Sequence, residues 1–307
     1  MDTDTLTVLT PVWVVLVGVG GAAVFAVLQQ LVLERRAAPA AMVTATLRTL
    51  RQPLTQPEHR DAWLFHLAPG LLLLAAVVAL SFVPWAPGFR GIDLSTGAIA
   101  FPAALAYVTP AILMAGWGTG RPLAVLGGFR WVALMLAYAM PLAMVITAVA
   151  APAGSLRPVD IVQVQHTVPM LLVQPVAFLL WLPAVMAVCF MAPFDLPQAD
   201  SELGGGAFQS YTGLDRVLVD LAQKVLIVAV SGMTAALFLA GWHGPLLPGA
   251  VWMALKTAAV AALMVWLGTR APRIDVEQAL VAAWKVANPV ALLAIVWAGF
   301  VTLVFYR

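Results

Sequence analysis

Charge is scarce in this chain: 10% of its 307 residues are Asp, Glu, Lys or Arg, while 63% are hydrophobic. The mean hydropathy is +0.97. A soluble domain is about half apolar and a quarter charged, so a globule surrounded by water is excluded. Cysteine is nearly absent as well. Cys189 alone excludes an intramolecular disulfide, and with it any iron–sulfur or zinc site built only from this chain's thiolates. If electrons move in the assembly, partner subunits carry them, so no cofactor is expected on this chain. The four histidines, His59, His66, His166 and His243, show no metal-ligand spacing on a helix. They are read as interfacial residues, and no metal is assigned. A net charge of +2 without a basic cluster interleaved with aromatics argues against nucleic acid. Internal repeats of the kind found in many transporters are missing too.

What the chain has in abundance is apolar runs, each long enough to cross a bilayer as a helix. Eight spans are expected, near 10–33, 64–86, 98–117, 130–151, 167–191, 217–241, 249–270 and 283–305. The fold class is an all-α polytopic membrane protein with eight transmembrane helices, in a single membrane domain over 1–307. Asp2 and Asp4 precede the first span and Arg35-Arg36 follow it, the pattern of a retained helix rather than a cleaved signal. With the N-terminus outside, the inner loops hold eleven basic residues, from Arg35, Arg36, Arg48 and Arg51 to Arg273 and Lys285. Only Arg90, Arg157 and Arg307 lie outside. The positive-inside rule therefore places both termini outside an inner, cytoplasmic membrane.

The two longer loops, 34–63 and 192–216, both fall on the cytoplasmic side. In the first, Ala40, Val43, Leu47 and Leu50 form an apolar stripe flanked by Arg48 and Arg51, ended by Pro53 and Pro57. That pattern predicts a short amphipathic helix lying in the membrane interface. Gly18-Val19-Gly20-Gly21-Ala22-Ala23 has the look of a nucleotide fingerprint, but it sits inside a span with no preceding strand. Close helix packing explains it better. Asp220 and Lys224 share one face of the sixth span, as a structural ion pair or as part of a proton path. Lys256, early in the seventh span, is expected to snorkel to the interface.

The densest chemistry is in the second loop. Asp195, Asp200 and Glu202 stand within eight residues, interleaved with Phe194, Leu196 and Leu203 and followed by Gly204-Gly205-Gly206. Prolines stop the preceding helix and the glycines free the backbone. Acids alternating with apolar residues predict an ordered loop that docks a partner or lines a polar cavity.

This loop resembles the signature of the H subunit of bacterial proton-pumping NADH:quinone oxidoreductase (complex I), the counterpart of mitochondrial subunit 1. The family pattern is close to Ala-Pro-Phe-Asp-Leu-Pro-Glu-Ala-Glu-Ser-Glu-Leu. Ala192 through Leu203 follow it except at Gln198 and Asp200, and Tyr211-Thr212-Gly213 match the Tyr-Ser-Gly beyond. Glu34-Arg35-Arg36, Leu67-Ala68-Pro69, Ala115-Gly116-Trp117, Gly244-Pro245-Leu246-Leu247-Pro248, Lys256-Thr257 and Pro272-Arg273 match in order along the chain. The resemblance implies a membrane-arm subunit that anchors a peripheral redox arm. It also implies part of a quinone chamber and a link from quinone reduction to proton translocation. Glu34, Asp195, Asp200, Glu202 and Asp220 become coupling carboxylates, and Arg35, Arg36, Phe194 and Arg273 line the quinone side, with Lys224 as an intramembrane charge. Quinone is then the substrate, while flavin and iron–sulfur clusters belong to partner subunits. Activity is expected of the complex, not of this chain alone. Where the family carries glutamates this chain has Ala139, Ser210 and Gln223, and Met191 replaces an arginine. The loop 37–62 is also short. Those departures also fit a second reading, the membrane anchor of a nickel–iron hydrogenase or related complex without a quinone site. An independent ion transporter or a purely structural anchor is a third.

Overall fold

The computed structural model describes residues 3–34, 39–53, 57–87, 89–198 and 204–305. The chain is almost entirely helical. Among these residues, seven helical stretches are long and apolar enough to cross a membrane: Trp13–Leu31, Ala62–Ser81, Gly97–Gly118, Pro122–Ala153, Gly213–Phe238, Gly249–Arg270 and Val276–Val304. The all-α polytopic class is thus established. The remaining expected span, 167–191, takes a different form. It holds a 14-residue helix, Pro175–Val188, preceded by a single turn, Met170–Val173.

The elements run as α1 (Thr3–Glu34), α2 (Pro39–Leu50), α3 (Ala62–Ser81), a small hairpin β1 (Pro84–Ala86) and β2 (Phe89–Arg90), α4 (Gly97–Ala106) and α5 (Val108–Gly118). They continue with α6 (Pro122–Ala150), α7 (Pro158–Val164), α8 (Met170–Val173), α9 (Pro175–Val188), α10 (Gly213–Phe238), α11 (Gly249–Arg270), α12 (Val276–Ala282), a π-helical turn at Ala283–Ala287, and α13 (Asn288–Phe305). Local chemistry sets many of these ends. Asp61 caps α3 by accepting from the amide of Trp63 at 3.1 Å, and Asp275 caps α12 through Val276 at 2.7 Å. Pro122, Pro158 and Pro175 each stand at the start of a helix, where the missing N–H costs nothing. The third span divides at Tyr107 because Pro110 has no N–H to donate to the carbonyl of Ala106.

The centre of the bundle is α10, 83% buried along its membrane window, against 22% for α1 and 28% for Val276–Val304. It packs most broadly on α3, then α11 and α1. Trp181 on α9 is wholly buried and donates through Nε1 to Thr234 of α10 at 2.8 Å. The amphipathic helix foreseen near 40–51 is α2. Its Val43, Leu47 and Leu50 stay exposed as an apolar stripe, and the chain leaves helix before Pro53.

The break before α9 needs its backbone groups satisfied away from water. Gln165 does most of this. Its amide nitrogen donates to the carbonyls of Ile161 (3.1 Å) and Ala236 (2.9 Å), and its oxygen accepts from the amides of Met170 (3.1 Å) and Ala240 (2.9 Å). One buried side chain thereby ties the interrupted span to the end of α10.

Candidate functional site at the loop end of the bundle

The segment after α9 turns sharply. Phe190 adopts φ +41° and its ring is buried, edge-on to Trp131 at 5.9 Å and tilted against Phe208 at 5.8 Å. A left-handed non-glycine residue costs about 1–2 kcal/mol, so this packing must hold it. Gln223 on α10 secures the same turn by donating to the carbonyls of Cys189 (3.2 Å) and Phe190 (3.4 Å). A position where the family resemblance led one to look for an acid therefore serves as a backbone clasp.

Further on, the loop lies against the end of α11. The amide of Ile274 donates to the Pro193 carbonyl at 3.3 Å, and Gly268 leaves room for the Ala192 backbone. Asp195 and Arg273, two site residues singled out by sequence, form an ion pair at 3.0 Å. Asp195 is 19% exposed and Arg273 55%, so the pair remains within reach of a partner. Phe194 points inward instead. It is buried edge-on to Tyr138 at 5.5 Å. The amide of Ala207 donates to the Pro197 carbonyl at 3.0 Å, which joins the two ends of the intervening segment. Gly206, at φ +53°, is required there because a Cβ would run into that same carbonyl.

Asp200 and Glu202, like Arg35 and Arg36, lie outside the described residues, as does the side chain of Glu34.

Around the start of α10 a second group gathers. Tyr211 stacks on Phe65 with ring centroids 4.3 Å apart and donates its hydroxyl to the Phe65 carbonyl at 3.0 Å. Burial, and then the charge of Asp215, push its pKa up, so it remains a protonated donor. Asp215 also meets Nδ1 of His66 at 3.4 Å. Thr212 donates to the Pro53 carbonyl at 3.1 Å and so ties α10 to the end of α2. Asp220 pairs with Arg216 at 3.1 Å, one turn back, and not with Lys224 one turn ahead. Among the described residues Lys224 has no ion pair. None of the His66–Asp215, Tyr211–Phe65 or Gln223 contacts followed from sequence, since each joins segments far apart along the chain. The one available signal was the unusual density of polar residues between 208 and 224.

The far end of the bundle is built differently. Asp93 and Arg157 form a two-pronged ion pair that joins the segment after β2 to the start of α7, and the arrangement raises the pKa of Arg157. Lys256 does not snorkel outward. Its ammonium donates to the carbonyls of Leu239 (2.6 Å), Gly241 (2.9 Å) and His243 (2.7 Å), all just past α10. The Leu239 carbonyl lies at the negative end of the helix dipole, and the three carbonyls together satisfy the ammonium more fully than the interface could. The rings of His166 and His243 meet edge to face at 5.3 Å. Burial first, then His166 and Lys256, lower the pKa of His243, and a hydrogen bond with the Val162 backbone works in the opposite sense.

Taken together, these features define a multi-pass membrane protein with charged and hydrogen-bonded groups gathered at both ends of the bundle. The chain belongs to the NADH dehydrogenase family, whose model matches residues 36–299. It is 35% identical over 268 residues to the H subunit of NADH-quinone oxidoreductase from Geobacillus kaustophilus, covering 86% of this chain and 80% of that protein. The corresponding protein of Anoxybacillus flavithermus is 36% identical over 269 residues, with 86% and 80% covered. Among solved structures, a chain of the membrane-bound sulfane sulfur reductase, an archaeal respiratory membrane complex, matches with a TM-score of 0.84. It covers 95% of this chain and 99% of that one at 21% identity, a likeness of fold.

Proposed function

We propose that this chain is the membrane-arm subunit of a complex I-type NADH:quinone oxidoreductase. In this reading it anchors the peripheral redox arm through its loop end, forms part of the quinone chamber and couples quinone reduction to proton translocation. The observation that carries it is the identity to the H subunits of NADH-quinone oxidoreductases across most of the chain, together with the Asp195–Arg273 pair beside the acidic motif. The loop end is assigned to the cytoplasmic side, with both termini outside, on the distribution of Arg and Lys. The exposed apolar stripe of α2 suits an interfacial position beside that end. Asp195, Asp200, Glu202, Glu34 and Asp220 are the proposed coupling carboxylates, with Arg35, Arg36 and Arg273 nearest the quinone. Phe194, packed on Tyr138, is the proposed apolar residue of the quinone side. Flavin and iron–sulfur clusters are assigned to partner subunits, and activity to the complex.

Docking stands on firmer ground than proton conduction. A proton relay needs groups that change protonation; Gln223 is committed to backbone carbonyls and Ala139 carries no polar group. The fold alone also suits an electron acceptor other than quinone, since a sulfane sulfur reductase complex uses it. Purification of the native complex separates these readings. Copurifying iron–sulfur subunits together with quinone-dependent turnover support the proposal. A nickel-binding partner with paired Cys-x-x-Cys motifs and no quinone-dependent turnover points to the hydrogenase-type anchor and overturns it.

A further inference from the structure

An open apolar groove of about 390 Å³ runs between α1 and α11, floored by α10. The glycine motif of α1 makes it. Gly21 is tight against Val228, where a Cβ would lie 2.9 Å from a methyl group, whereas Gly20 has no atom within 4 Å of that position. Facing it, Ala250, Ala254, Ala258 and Ala261 fall on one side of α11. Small residues on two membrane helices normally let the backbones close together. Here they leave a space instead.

Physical chemistry limits what fills that space. The lining is almost wholly apolar, and its one hydroxyl, on Thr257, already donates to the Met253 carbonyl at 2.8 Å. An apolar cavity does not hold water, and empty space forfeits dispersion contacts along its walls. The groove is open along the side of the membrane-spanning helices, because its rim residues Gly20, Val24 and Ala254 are exposed. Its depth is informative too. From Ala250 to Ala261 the helix rises roughly 17 Å, just over half of an apolar core about 30 Å thick. It begins at the N-terminal end of α11, where Trp85 of the hairpin lines its mouth. It therefore opens at the membrane face opposite the Asp195–Arg273 loop, which lies against the other end of α11. A ligand with its headgroup at the loop end would meet only the closed inner end of this groove, after crossing roughly 13 Å of the apolar core.

We propose that the groove is a binding site for one acyl chain of a phospholipid from the leaflet opposite the acidic loop. The chain lies along Gly20 and the alanine face of α11, with Trp85 at the interface where an aromatic ring suits the headgroup boundary. The site holds α1, the least buried span, against the bundle.

The test uses the native complex in liposomes containing phosphatidylethanolamine with a diazirine on its acyl chain. After irradiation and peptide mapping, label is expected on residues 17–28 and 250–261. Gly20→Leu and Ala254→Leu, which fill the groove from opposite walls, should each lower that label severalfold while label elsewhere stays constant. If one variant fails to assemble, the other still decides. Absence of label on both segments in the unaltered complex overturns the proposal, as does label unchanged by the variants. So does preferential labelling of the same segments by a quinone with a diazirine in its isoprenoid tail, or cross-linking of the groove to a neighbouring protein of the complex.

Discussion

The two ends of the bundle weight their polar contacts differently, although the far end also holds the Asp93–Arg157 pair and the loop end also spends Gln223 on backbone carbonyls. At the far end, charged and amide side chains are spent on backbone: Lys256 on three carbonyls, Gln165 on two carbonyls and two amides. At the loop end, charges meet each other, in Asp195–Arg273, His66–Asp215 and Arg216–Asp220, and keep some exposure. Side chains bonded to backbone are fixed whenever the fold is fixed. Paired side chains that remain partly open can be re-paired by a partner protein, a substrate or a proton. Under the proposed function, the difference makes the far end a structural clamp and the loop end a surface for exchange.

The sharpest way to break this contrast is at Gln165. Gln165→Leu leaves up to four buried backbone groups without partners, at about 1–3 kcal/mol each. We expect almost no folded chain in the membrane, read as loss of assembled complex on native gels. Lys256→Met comes next. It removes charge-assisted bonds to three carbonyls at the end of α10, so melting of the purified complex should fall by several degrees, in keeping with about 1.5–3 kcal/mol for a hydrogen bond to a charged group. Turnover per assembled complex should stay near normal. If Lys256→Met instead abolished turnover with melting unchanged, the far end would have to be counted as functional.

Much of the fold was legible because long apolar runs are a strong signal and α2 had a clean stripe. The fifth span was not, since hydropathy averages over Pro169, Gln174 and Pro175 and cannot see that Gln165 makes a break tolerable. Lys256 was misread for a related reason. Sequence shows a lysine near a helix end, but not the three carbonyls that fold back over it. At Asp220 the spacing is symmetric, with Arg216 four residues before and Lys224 four after. The planar guanidinium takes the carboxylate. In the glycine motif, helix packing accounts for Gly18 and Gly21 but not for Gly20, which opens onto the groove. The acidic loop was legible as a motif, yet the anchoring of its described flanks by Gln223 and Tyr211 depends on contacts between distant segments.

A smaller effect is expected at Gly206. Gly206→Ala places a side chain in a left-handed conformation costing about 1–2 kcal/mol and pushes it into the Pro197 carbonyl. The local loop should loosen, seen as faster hydrogen exchange over residues 192–211 and weaker retention of peripheral subunits. The far end should be untouched. Acid probes the converse. The pKa of His243 is lowered in the folded chain, so its neutral form is favoured there and stability is fully present above the unfolded value, about 6.5. Stability is lost as the pH falls below that value toward the folded pKa, where the unfolded chain binds more protons. His166 and Lys256 face the ring and repel its proton. Melting should therefore drop modestly from pH 7 to pH 5, and His243→Gln should flatten that part of the profile.

The smallest effect on stability, and the most discriminating, is expected at Arg273. Its pair with Asp195 is more than half exposed on the arginine side, and such pairs contribute about 0–1 kcal/mol. Arg273→Gln should barely move the melting temperature. If the loop end is a surface for exchange, the cost will appear elsewhere, as loss of the peripheral subunits when salt is raised and as lower turnover at unchanged membrane abundance. Charge pairs screened by salt behave in this way, while an ammonium enclosed by carbonyls does not. Lys256→Met and Arg273→Gln should thus separate cleanly, one in stability with function kept and the other in function with stability kept. Equal salt sensitivity of both variants would mean that the two ends differ in geometry alone and not in role.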